Sequence, residues 1–162
     1  MTNTARRRFD EVTGAEGRST SHILTGLAVT TGAVLVSALI ARANAPTPDN
    51  PAVFSDYEEL AQPRFKPPAP VFAWVWPPLF VALAISGLRV WNAPPSRARS
   101  QALGLWGAIQ GLNALWMALG PRRLGGQLTT AVASLGAAVA YVLRARSVDG
   151  PAAGLTAPYL GW

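Results

Sequence analysis

Residues 100–120, SQALGLWGAIQGLNALWMALG, contain no Asp, Glu, Lys or Arg over 21 positions. At 1.5 Å per residue, about 20 apolar residues match a hydrocarbon core of about 30 Å. Three further runs behave the same way: 23–41 (ILTGLAVTTGAVLVSALIA), 70–88 (PVFAWVWPPLFVALAISGL) and 124–143 (LGGQLTTAVASLGAAVAYVL). Only helices or closed barrels satisfy their backbone in lipid, and these runs lack the alternation of barrel strands. The chain therefore reads as an all-α, multi-pass integral membrane protein with four full spans.

The composition agrees. Half of the 162 residues are hydrophobic and 14% are charged, against about 25% in soluble domains. There is no Cys and one His, which excludes disulfides, thiolate metal sites and Cys nucleophiles and argues against a His-ligated metal centre. No span holds a His, a carboxylate or a Lys, so no intramembrane acid–base pair or proton relay is expected. The glycines form no phosphate loop. A hydrolase is excluded on these grounds, and no charged ring suggests a channel.

The connectors carry the charge. Arg6, Arg7, Arg8 and Arg18, then Arg89, Arg97 and Arg99, then Arg144 and Arg146 put nine basic residues on one side. Arg42, Arg64, Lys66, Arg122 and Arg123 put five on the other. The asymmetry predicts a cytoplasmic N-terminus and accounts for most of the net charge of +6, so nucleic-acid binding is not inferred. Arg6-Arg7-Arg8-Phe9 resembles a twin-arginine signal, and Ala43-Asn44-Ala45 has the form of a cleavage site. The 19-residue apolar run is longer than a signal core of about 7–15, and Asp10, Glu11 and Glu16 interrupt the approach to it, so a retained span is the expectation.

Residues 1–20 are polar and are expected to form a disordered arm ahead of a membrane domain over 21–162. Loop one, 42–69, begins with an extended Pro46, Pro48, Pro51 linker. It continues through Tyr57, Leu60 and Phe65, apolar anchors that suit a lid folded over the bundle or an interfacial segment. In the third span Gln110 and Asn113 share a helical face, with Trp106 one turn before and Trp116 and Met117 after. Buried amides in hydrocarbon serve either helix–helix hydrogen bonding or a ligand. Gly107 and Gly111 form a small-xxx-small pattern that allows close packing or dimerisation. In the second span Phe72, Trp76 and Phe80 recur at helical spacing, and Pro77-Pro78 is expected to kink the helix. Trp74 and Trp91 suit opposite membrane interfaces.

The order of these residues is similar to the TspO/MBR family of tryptophan-rich sensory proteins and translocator proteins. The resemblance rests on Tyr57-x-x-Leu60-x-x-Pro63-x-Phe65-x-Pro67-Pro68, on Val71-Phe72 and Val75-Trp76-x-x-x-Phe80, on Gln110-x-x-Asn113-x-x-Trp116, and on Pro158-Tyr159-Leu160-x-Trp162. It covers about residues 23–162. It implies a five-helix bundle, commonly a homodimer, whose first loop lids a pocket for porphyrin, haem or another flat hydrophobic ligand, with no obligatory cofactor. Carried over position by position, it implies a pocket lined by Trp76, Phe80, Asn113, Trp116, Tyr159 and Trp162; Gly107, Gln110 and Gly111 keep the helix-packing reading that their own pattern gives. The implied lid holds Tyr57, Glu58, Arg64, Phe65, Lys66, Pro67 and Pro68.

Phe80 stands where many relatives carry Tyr, and loop one lacks two of their indoles. The uncharged stretch 151–162 reaches about 18 Å as a helix, so the fifth helix, expected over 152–162, is partial and too short to span. The implied function is a tetrapyrrole-binding sensor or carrier of the bilayer. The alternatives are light-dependent porphyrin breakdown, or an interaction protein that lost its ligand with the missing part of helix five. The richness in Arg, Ala and Gly points to a bacterial cell membrane. A tetrapyrrole is a flat aromatic disc with two propionates, which suits indole faces, an amide, and charge-assisted bonds from Arg64 and Lys66.

Overall fold

A computed structural model describes residues 3–61 and 64–161. The helices are α1 (Asn3–Thr13), α2 (Thr20–Ala43), α3 (Pro51–Glu58), α4 (Ala69–Asn92), α5 (Arg97–Leu119), α6 (Leu124–Arg146) and α7 (Gly150–Gly161), with a 3-10 turn at Pro121–Arg123 between α5 and α6. No strand occurs among the described residues. Four helices are long and apolar enough to cross a membrane, beginning at Thr20, Pro70, Arg97 and Pro121.

The helices outrun the charge-free stretches for a local reason. Arg42, Arg89, Arg144 and Arg146 occupy last turns, where positive charge complements the helix dipole. Ser19 and Ser96 cap α2 and α5 by accepting from the amides of His22 and Arg99 at 3.3 and 3.1 Å, which satisfies otherwise orphaned donors. Gly120, at φ +63°, ends α5 in a conformation that favours glycine. Pro77 and Pro78 lie inside α4, which continues through them.

The long helices and α7 close into a ring in which α2 packs on α4 and α5, α5 on α6, α6 on α7, and α7 on α4. Two glycines missed by the sequence reading set close approaches. A Cβ on Gly87 would stand 2.5 Å from Trp106 of α5, and one on Gly26 would stand 2.5 Å from Trp91 of α4. Trp91 is thus a packing residue, whereas Trp74 is 80% exposed and suits the interfacial role.

Inside the ring, Ser86 joins three helices. Its hydroxyl donates to the Ala152 carbonyl at 2.7 Å and meets the hydroxyls of Tyr141 at 2.6 Å and Thr156 at 3.0 Å. With its one proton committed, Ser86 accepts from both partners. All three side chains are buried; in hydrocarbon an unmet hydroxyl has no water to turn to.

The expectation of a disordered arm over residues 1–20 is corrected for its described part, from Asn3 onward. α1 is a helix that packs on α4. Arg89 donates through Nη1 to the carbonyls of Glu11 and Val12 at 2.6 and 2.9 Å. Asn92 donates to the Thr13 carbonyl at 2.9 Å, and Arg18 donates to the Asn92 carbonyl at 2.6 Å. Ala15 is buried. The arm's order comes from backbone carbonyls reached by side chains far along the chain, which composition does not reveal.

Arg89 also holds α7. Its Nε and Nη2 donate to the two oxygens of Asp149 at 2.8 and 3.0 Å. Asp149 in turn accepts from the Ala152 amide at 2.7 Å and so caps α7. That cap explains why α7 begins at Gly150, two residues ahead of the expected 152. Replacing Arg89 with Met leaves Asp149 without its partner, and we expect a loss of about 3 kcal/mol, the low end for a mostly buried pair. Thermal unfolding in detergent reads the loss, and trypsin should then cut faster after Arg18; unchanged cleavage would mean that α1 is held by other contacts.

Candidate functional site

The polar face of α5 divides between two environments. Asn113 points toward α6 and α7, where its Oδ1 accepts from the Tyr159 hydroxyl at 2.6 Å and from the Ser134 hydroxyl at 3.5 Å. Ser134 and Tyr159 lie 3.1 Å apart. The amide nitrogen of Asn113 is buried and has no partner among the described residues. An acceptor saturated by protein beside a free donor fits a ligand that offers an oxygen.

Gln110, one turn earlier, is 4% exposed. Its backbone carbonyl accepts from Ser37 of α2 at 3.1 Å, while both polar atoms of its side chain are buried without a partner among the described residues. Its backbone is bonded to α2, whereas the Asn113 side chain is bonded to α6 and α7. Trp106 is committed to the fold, with its indole donating to the Leu83 carbonyl at 2.9 Å. Trp116 lies at the edge, 36% exposed, and its carbonyl accepts from Gln127 at 3.4 Å. Gly107 and Gly111 face open space, with nothing within 4 Å of a built Cβ, so among the described residues they pack against no other helix.

α4 supplies the aromatic part. Trp76 and Phe80 sit with ring centroids 5.4 Å apart and planes tilted by 33°. They line an apolar groove of about 540 Å³ between α2 and α4, with Thr31, Val34, Leu35 and Ala38 opposite. That volume lies within the range of small-molecule sites, about 300–1,000 Å³. Phe80 and Tyr159 both pack against the central core, and Asn113 is not among the residues that line the groove.

The lid residues are spread over loop one. Asp56 of α3 pairs with Arg122 at 2.7 Å, tying the loop to the connection between α5 and α6. The Lys66 ammonium sits 4.4 Å from the centre of the half-buried Tyr57 ring. Glu58, Arg64 and Pro68 are exposed, Pro67 is half-buried, and Phe65 is 88% exposed. Pro68 occupies the N-cap position of α4 without a side-chain capping bond. Trp162 and the motif residue Pro63 lie outside the described residues.

The structure therefore joins Asn113 to Tyr159 and Trp76 to Phe80, and sets Trp106 apart. Ser134, missed by the sequence reading, belongs with Asn113; a serine on an apolar helix carries no mark of its partner. With this geometry in view, the TspO/MBR family model matches residues 25–162. The chain belongs to the TspO/MBR family. It is 30% identical over 113 residues to the translocator protein of Bos taurus, a match covering 67% of each chain. The translocator protein of Ovis aries matches at the same identity and coverage. The family expected from the motif order is thus the one found, and the protein is an integral membrane protein with a lipid bilayer as its surroundings.

The unpaired amide of Gln110 makes a stability prediction. A buried polar group without a partner costs about 1–3 kcal/mol, and Leu is close to Gln in size. Gln110→Leu should raise the melting temperature in detergent. A lowered melting temperature would mean that Gln110 finds partners in the folded protein.

Proposed function

We propose that this TspO/MBR protein is a membrane sensor or carrier that binds a tetrapyrrole, porphyrin or haem, through the aromatic face of α4 and the polar cluster on α5, α6 and α7. The observation that carries the reading is the apolar groove against which Trp76 and Phe80 lie. A flat macrocycle stacks on such rings. The free amide donor of Asn113 complements a propionate or another acceptor at the edge of the disc. Trp116 and Trp162 are assigned to the same pocket on the family resemblance. Arg64 and Lys66 are assigned to the propionates; Lys66 would leave its place over Tyr57 to meet them.

The groove opens on the lipid-facing side of α2 and α4, where Leu35 and Val81 are exposed, so the ligand enters from the bilayer in which it partitions. The arginine asymmetry favours a cytoplasmic N-terminus, and the composition a bacterial cell membrane.

The test is a protoporphyrin titration of the purified protein in detergent, followed by quenching of Trp fluorescence, with empty micelles alongside. We expect saturation near one ligand per chain and about a tenfold weaker affinity for Asn113→Leu, as for the loss of a hydrogen bond of about 1.4 kcal/mol. Linear quenching that ignores the substitution would overturn the reading.

Gly107 and Gly111 carry no side chain where they face outward from α5, and we assign the stretch from Gly107 to Leu115 of that face to a second copy of the chain. Gly111→Leu should lower the dimer fraction in analytical ultracentrifugation. Equal dimerisation of the variant and the parent would remove the assignment.

A further inference from the structure

The arginine-rich end of the bundle holds more guanidinium groups than the fold employs. Arg89 is committed to Asp149 and to α1. Arg99 donates to the Val90 and Trp91 carbonyls at 3.2 and 2.6 Å, Arg18 to Asn92, and Arg6 pairs with Asp10 at 3.5 Å. At the other end Arg122 is held by Asp56. Among the described residues, the side chain of Arg144 has neither an ion pair nor a hydrogen bond, and it is exposed.

Arg144 also lines a groove of about 660 Å³ between α5 and α6, together with Gln101, Gly104, Leu105, Ala140 and Leu143. The lining is graded along the helices. Gln101 lies one turn inside the start of α5 and Arg144 lies in the last turn of α6. Gly104, Leu105 and Ala140 lie about one turn deeper, since a turn rises about 5.4 Å. Nothing stands within 4 Å of a Cβ built on Gly104, so the floor is open, and Leu143 is 62% exposed on the wall. The site is cationic at headgroup level and apolar below it.

We propose that this groove is a binding site for an anionic phospholipid. Its phosphate meets the Arg144 guanidinium, with the Gln101 amide donating beside it, and an acyl chain lies over Gly104 and Ala140 between Leu105 and Leu143. Charge complementarity selects the occupant. A basic pocket between membrane helices, at the arginine-rich ends of the spans, favours acidic headgroups. Arg146, exposed two residues on, adds to the field and disfavours the positive group of a zwitterionic lipid. The site is separated from the α2–α4 groove by helix pairing and does not depend on tetrapyrrole binding.

Native mass spectrometry of the full chain in detergent, titrated with dioleoylphosphatidylglycerol or dioleoylphosphatidylcholine, tests the proposal. The parent protein should retain the anionic lipid more strongly. Arg144→Gln should weaken its retention about fivefold, the factor for ~1 kcal/mol per basic residue near an anionic headgroup. Gly104→Leu, which fills the open floor, should weaken it as well, whereas Arg42→Gln at the opposite end of the bundle should not. Equal retention of both lipids, an unchanged Arg144→Gln variant, or an equal loss from Arg42→Gln would each overturn the site. Circular dichroism of each variant confirms that the helices compared are folded.

Discussion

Arg89 is where three remote pieces of the chain meet. It ends α4, grips both oxygens of Asp149 ahead of α7, and takes the last carbonyls of α1. A fork of donors with fixed geometry suits this task, because a guanidinium presents several N–H groups in one plane and stays charged. At 12 residues, α7 is about half the length of the spans beside it. The Asp149 cap and its partner Arg89 set where that helix starts, and so set the height at which Thr156 reaches Ser86 and Tyr159 reaches Asn113.

The interior follows the same logic at a smaller scale. Lipid gives no hydrophobic drive for one helix to prefer another, so association depends on close packing and on polar groups that find each other. Both devices are present. Gly26 and Gly87 admit indoles against the backbone, and the Ser86 cluster joins α4, α6 and α7. The amides of α5 depart from this economy. Asn113 is half satisfied and Gln110 not at all in its side chain, and polar groups left this way inside a bundle are the ones with bonding capacity to offer something other than the fold.

Charge is distributed by the same constraint. Where an arginine meets a carboxylate or a stack of carbonyls it locks chain segments together, as Arg89, Arg99 and Arg122 do. Where it does not, as at Arg144, it remains available at the membrane surface. The basic residues of this chain are therefore not one population, and a sum over the sequence conceals that division.

Four spanning helices, their approximate limits and the family were legible in the sequence. An uncharged run of about 20 residues has one stable form in hydrocarbon, and the motif order survives without coordinates. Asn113 and Trp76 could be singled out because an amide or an indole is conspicuous against Leu and Ala. The order of α1 was not legible, since it depends on Arg89 and Asn92 reaching carbonyls 77 to 79 residues away in the chain. Nor could the sequence tell Trp106, packed against Gly87, from Trp116 at the edge, or turn Gly107 and Gly111 outward while Gly26 and Gly87 face in. Helical periodicity determines which residues share a face. Which neighbour that face meets is decided only when the ring closes, because partner choice in a bilayer depends on shape and hydrogen bonding between residues distant in the chain.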